Sequence, residues 1–88
     1  IQHNLGADRA GAFDLNTACT GFLYALSVGT QFIQGGGAKR VLVVAGETLS
    51  RFTNFEDRNT CVLFGDGAAA VVLEQTTQVA GVLSTVLG

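Results

Sequence analysis

Between Leu15 and Ala38 no residue carries a charge, and within that stretch Phe22, Leu26, Gly29 and Ile33 recur at helical spacing. Ala25 and Phe32 widen the apolar side beyond a single stripe, so the pattern predicts a helix over 20–34 that is buried nearly all round. Gly35, Gly36 and Gly37 supply a left-handed cap and a short return. "RVLVVA", residues 40–45, then forms a continuous apolar run of the kind found in a parallel sheet covered on both faces. Ahead of the helix, residues 11–16 read as a short strand, which completes a β-α-β unit. The stretch "ETLSRFTNFEDRNT", residues 47–60, is the wet part of the chain. After it, "CVLFGDGAAAVVLEQ" passes through a tight Gly-Asp-Gly turn into another strand, and "VAGVLSTVLG" begins a further one.

Composition changes this picture in one respect. Of the 88 residues 48% are hydrophobic and 14% charged, against about 25% charged in an ordinary soluble domain. So few charges cannot clothe a small globule, and much of the surface is expected to be covered by further polypeptide or a partner subunit. No internal boundary or linker divides residues 1–88, which read as part of one larger fold. The net charge of -2, with no basic run, gives no electrostatic footprint for nucleic acid or an anionic membrane. The uncharged stretch is long enough to span a bilayer, but its threonines, glutamines and five glycines favour a buried helix with its flanks. Cys19 and Cys61, with His3 as the only histidine, build no zinc spacing. Free thiols in a reducing cytoplasm are expected rather than a disulfide.

Cys19 is the candidate nucleophile. It falls at the junction of the predicted strand and helix, where free backbone N–H groups favour negative charge, stabilising a thiolate and an oxyanion alike. The competing reading is a small buried hydrophobe. "TACTG" touches the caspase core, but His3 is only sixteen residues upstream where that signature needs about 50, so this reading fails. "GDGAAA", residues 65–70, formally satisfies a dinucleotide fingerprint, yet strand-like "VVLEQ" follows where a helix is required. Asp57 and Arg58 fit a solvated charge pair on a loop, and an exposed arginine can also stack on a purine or grip a phosphate.

Taken together, "AFDLNTACTGFLYAL", "RVLVVAGETLSR", "DRNTCVLFGDGAAAVVL" and "GVLST" resemble β-ketoacyl-acyl-carrier-protein synthase III over essentially the whole chain. The resemblance implies an α/β, thiolase-like fold of two similar halves, each a mixed β-sheet flanked by helices, with a buried central helix carrying Cys19 at its N-terminus. Only the later part of the first half is matched. It further implies that Cys19 accepts an acyl group from acyl-coenzyme A, with its own N–H as an oxyanion donor. Arg58 would lie against the adenine end of coenzyme A, and Leu49 and Phe64 would line the acyl pocket. Asp57 and Gly65 to Gly67 would shape loops. The family's catalytic histidine and asparagine match nothing here, His3 included, so the 88-residue chain by itself is expected to be inactive. Acyl-coenzyme A is a substrate, no metal or other cofactor is implied, and the expected partners are acyl carrier protein and a second copy in a cytoplasmic homodimer.

Two other readings stay open on the sequence. One is a different thiolase-superfamily synthase that uses the same cysteine, such as a hydroxymethylglutaryl-coenzyme A synthase or a type III polyketide synthase. The other is a non-catalytic module of the same fold, used for oligomerisation or acyl-coenzyme A binding.

Overall fold

The computed structural model describes all residues 1–88. Its organising element is helix α1, Gly21–Gln34. Ser, Thr and Gly interrupt the apolar residues, but no proline or acidic run opposes helix formation, and Thr30 turns its hydroxyl onto the Leu26 carbonyl one turn back at 2.8 Å. The three glycines then end it as expected. Gly36 is left-handed, with φ 77°. Its N–H reaches the Ile33 carbonyl at 3.1 Å, and the Gly37 N–H reaches that of Phe32 at 2.8 Å. That pair of bonds is a Schellman cap, which closes two of the carbonyls a helix end leaves open.

The chain returns directly into strand β1, Arg40–Thr48. A 3₁₀ turn, Leu49–Arg51, and a second, Cys61–Leu63, bracket the polar loop before strand β2, Asp66–Glu74. The two strands pair antiparallel in full register, from Arg40 opposite Glu74 to Thr48 opposite Asp66. Side chains alternate across such a ladder. Val41, Val43 and Leu73 therefore share one face, and α1 packs on it through Gly29. Leu42, Val44 and Val72 point the other way and are 44%, 38% and 65% exposed.

Three expectations need correction. The predicted strand over 11–16 forms no ladder; instead its Phe13 tilts against Phe32 of α1, with ring centroids 6.1 Å apart. The parallel β-α-β unit is consequently absent, and the sheet within this chain is an antiparallel pair. Residues 79–88 likewise form no strand.

The Gly-Asp-Gly segment also differs from the tight turn expected of it. Phe64 is extended, Asp66 already opens β2, and neither Gly65 nor Gly67 is left-handed. Nor is α1 sealed on all sides: Gly29 is its one buried residue, because the hairpin covers a single face.

Only Gly29 and Val43 are buried in the entire chain. The radius of gyration is 16.1 Å, where a compact chain of this length has about 12 Å. The accessible surface is 7499 Å², where a folded monomer of this mass exposes about 4,900 Å². Large apolar side chains such as Phe52, Val62, Leu63 and Val72 contribute to that exposed surface. No helix is long and apolar enough to cross a membrane.

Candidate functional site

Two clusters hold the residues singled out in the sequence. The first is the turn that delivers the chain into α1. Residues Ala18–Thr20 form a single 3₁₀ turn, closed by the Gly21 N–H on the Ala18 carbonyl. Cys19 is its middle residue, and Thr20 is the N-cap of α1. The sulfur is thus carried one position before the N-cap, not by α1 itself. Both cysteines are free, and Cys19 is exposed where Cys61 is half-buried.

Backbone strain accompanies this placement. Ala18 has φ 52°, the one left-handed residue in the chain that is not glycine. An L-residue there costs about 1–2 kcal/mol, because Cβ crowds the following carbonyl. Local bonds hold the turn: Asn16 Oδ1 accepts the Ala18 N–H at 3.3 Å, and the Thr17 carbonyl accepts the Thr20 hydroxyl at 2.7 Å. Since Thr20 spends its hydroxyl backwards, no side chain caps the first turn of α1. No acidic residue occupies that turn either. The positive end of the helix beside Cys19 is therefore not neutralised by the chain's own carboxylates. Thr17 Oγ1, in the same turn, is enclosed without a hydrogen-bond partner.

The second cluster surrounds a pocket of about 270 Å³ between the polar loop and the entry to β2. Leu49, Phe52, Thr53 and Asn54 form one wall, and Thr60 and Phe64 the other. Leu49 and Phe64 are thereby brought to one cavity. Cys19 and Arg58 are not among its lining residues.

Arg58 is exposed on the loop between these walls. Its neighbour Asp57 does not serve it as a counter-ion. Asp57 Oδ1 accepts the Asn59 N–H at 3.0 Å and Oδ2 the Thr60 hydroxyl at 2.9 Å, while its carbonyl accepts the Cys61 N–H at 2.9 Å. The carboxylate is a fastener of the loop, and the guanidinium faces solvent. His3 is exposed far from either wall in sequence, and its carbonyl accepts the Gly6 N–H.

Sequence reasoning missed the Ser50–Asp66 pair. Asp66 accepts the Ser50 N–H at 2.8 Å and the Ser50 hydroxyl at 2.6 Å. Those bonds, the hydroxyl first, hold its carboxyl below the usual carboxylate range. Its local context suggests a turn aspartate. The only signal that finds the partner is the antiparallel register, which sets Asp66 opposite Thr48 and within reach of the residue two further on.

The fold agrees with that of solved proteins. The 3-oxoacyl-[acyl-carrier-protein] synthase III from Aquifex aeolicus VF5 superposes with a TM-score of 0.83 at 51% identity, covering 88% of this chain and 25% of that one. The priming β-ketosynthase of the R1128 polyketide biosynthetic pathway gives 0.81 at 47%, covering 84% of this chain and 22% of that one. The chain is thus part of a thiolase-like condensing-enzyme fold.

Sequence narrows the class. The family model for 3-oxoacyl-[acyl-carrier-protein (ACP)] synthase III matches residues 13–88, and the chain belongs to that family. The β-ketoacyl-[acyl-carrier-protein] synthase III of Roseiflexus sp. (strain RS-1) is 56% identical over 88 residues, all of this chain and 27% of the relative. The chain thus spans about a quarter of the length of such relatives.

Proposed function

We propose that the protein carrying this chain initiates fatty-acid synthesis, as an acyltransferase that loads Cys19 from acyl-coenzyme A and then condenses the acyl group with malonyl carrier protein. The observation that carries the reading is the presentation of Cys19: exposed, on a strained turn, directly ahead of an uncapped helix, within the family match of residues 13–88.

In the first stage the Cys19 thiolate attacks the thioester carbonyl. The carbonyl oxygen takes the negative charge, which N–H groups of the turn, that of Cys19 among them, stabilise. Collapse expels the coenzyme A thiolate and leaves the acyl group on Cys19 Sγ. In the second, the malonyl group loses carbon dioxide, its enolate carbon attacks that acyl carbon, and the Cys19 thiolate departs. No histidine or asparagine of this chain is assigned to the decarboxylation. Arg58 binds the adenine end of coenzyme A, which suits an exposed guanidinium whose adjacent carboxylate is already spent. Leu49 and Phe64 enclose the acyl chain, a role supported by the cavity they share. The work is done in the cytoplasm by a homodimer, with no metal or other cofactor.

Brief exposure of the full-length gene product to acetyl-coenzyme A, followed by intact-protein mass spectrometry, tests this. One acetyl group is expected on the wild type and on Cys61→Ala, and none on Cys19→Ala. Labelling that survives Cys19→Ala removes Cys19 from the role, and an unlabelled wild type favours a non-catalytic module.

A further inference from the structure

The 3₁₀ turn Leu49–Arg51 begins at Thr48, whose side chain makes no capping bond. A turn that opens without a local cap leaves N–H donors to be satisfied from elsewhere. Here the acceptor comes from across the hairpin. Asp66, first residue of β2, faces Thr48, last residue of β1, and extends its carboxylate beyond the end of the ladder to Ser50. One carboxylate oxygen takes the Ser50 N–H and the other its hydroxyl, at 2.8 and 2.6 Å. Both lengths are those of bonds to an ionised acceptor.

The location of this clasp gives it a consequence. Leu49, Phe52 and Thr53 of one pocket wall belong to or follow the turn that Asp66 caps, and the Thr53 hydroxyl is tied back to the Leu49 carbonyl at 2.8 Å. Phe64 of the opposite wall lies two residues before Asp66 in extended chain. Past the last strand pair, the two bonds from Ser50 to Asp66 are the direct hydrogen-bonded connection between these walls. Glycines flank Asp66 on both sides, and a β-carbon at either would meet nothing within 4 Å.

We propose that the Ser50–Asp66 clasp is a specificity-determining positioning device: it fixes the spacing between the Leu49 and Phe64 walls and so sets the length of acyl chain the pocket admits. This rests on the reading of that pocket as the acyl site. Asp66 touches no substrate and acts through the wall it holds. Released, the Leu49 turn is held by the Thr48–Asp66 ladder pair behind it and no longer by Ser50, so it gains room to move away from Phe64, and longer acyl groups gain relative to acetyl.

The test measures kcat/KM of the full-length gene product for acetyl- and hexanoyl-coenzyme A. In Ser50→Ala and Asp66→Asn the hexanoyl-to-acetyl ratio is expected to rise about tenfold, the discrimination that one methylene commands in an apolar pocket. Ser50→Thr, which keeps both donors, is expected to hold the wild-type ratio. A merely structural role would lower both substrates together and leave the ratio where it was. An unchanged ratio in Ser50→Ala, or a shift in Ser50→Thr as large as in Ser50→Ala, overturns the proposal. Ser50→Ala leaves β2 untouched and decides the matter if Asp66→Asn does not fold. Acyl transfer by the wild type with an unchanged variant ratio sinks the clasp alone, whereas a wild type that transfers nothing sinks the pocket assignment and the clasp with it.

Discussion

Gly29 of α1 lies so close to Val41 of β1 that a β-carbon on it would come 3.0 Å from Val41 Cγ1, with Leu73 Cδ1 at 3.1 Å and Val43 Cγ2 at 3.4 Å. Two of these three neighbours are β-branched and stiff at χ1. The glycine is therefore the contact through which helix and hairpin approach, and the two buried residues of the chain, Gly29 and Val43, meet there.

Opposing effects decide the outcome of Gly29→Ala. Alanine gains about 1 kcal/mol of helix propensity over glycine, while overpacking a close contact costs about 1–3 kcal/mol. With valine side chains unable to swing aside, the contact wins, and a net loss of about 1 kcal/mol is expected, larger for Gly29→Val. Urea unfolding of the full-length gene product measures it. A midpoint at or above that of the wild type would show that the helix can lift off the hairpin without cost.

How much of this was legible in the sequence follows from the range of the interactions involved. The α1 helix and its Gly35–Gly37 ending are local, and the spacing of Phe22, Leu26, Gly29 and Ile33 together with three successive glycines carried both. The apolar run of β1 was equally plain. Its direction of pairing was not, because a continuous apolar run reads the same whether its partner runs parallel or antiparallel, and the partner β2 lies beyond the polar loop. Cys19 was expected at the N-terminus of the helix and lies one position before its N-cap, and the left-handed Ala18 was not visible, since nothing in Thr-Ala-Cys-Thr marks positive φ. Ser50 and Asp66 are joined only through register, and no local pattern contains them.

The lowered pKa of Asp66 gives stability a signed dependence on acidity. Its carboxyl is held below its ordinary 3.8 by the Ser50 hydroxyl and then by the Ser50 N–H, so the folded state binds this proton less readily than the unfolded one. The contribution is thus fully present above the unfolded value of about 4 and is lost as the pH falls through the folded value. Asp66→Asn lacks it throughout. The difference in unfolding midpoint between wild type and Asp66→Asn should be constant from neutrality to about pH 4 and shrink below that. A gap that widens on acidification would mean that the carboxylate is not what Ser50 stabilises.

Arg58 carries a prediction of a different kind. Exposed, and flanked by an aspartate committed to Asn59 and Thr60, it has no competing anion to displace when a phosphate or purine arrives. A charge-assisted contact is worth about 1.5–3 kcal/mol, and solvent screening places an exposed one at the low end. Arg58→Ala is therefore expected to raise the Michaelis constant for acyl-coenzyme A by about tenfold. Condensation from a preloaded Cys19 should be spared. Adding salt should raise the wild-type constant and leave that of the variant nearly unmoved. A variant constant equal to that of the wild type would leave Arg58 a solvated loop charge.

Surface arithmetic governs how the 88 residues behave by themselves. They expose 7499 Å², and the apolar face of the hairpin, with Leu42, Val44 and Val72, is open along its length. Large contiguous apolar surface of this kind binds hydrophobic dyes and favours association. With two buried residues there is no cooperative core to melt. The purified 88-residue chain should therefore enhance anilinonaphthalene sulfonate fluorescence, unfold over a broad range without a calorimetric peak, and form no β-ketoacyl product from acetyl-coenzyme A and malonyl carrier protein. Full-length gene product under the same conditions should show the reverse on all three counts. A sharp endotherm from the 88-residue chain, with no dye bound, would mean that α1 and the hairpin close a core of their own, and that the open faces of Leu42 and Val72 need no cover.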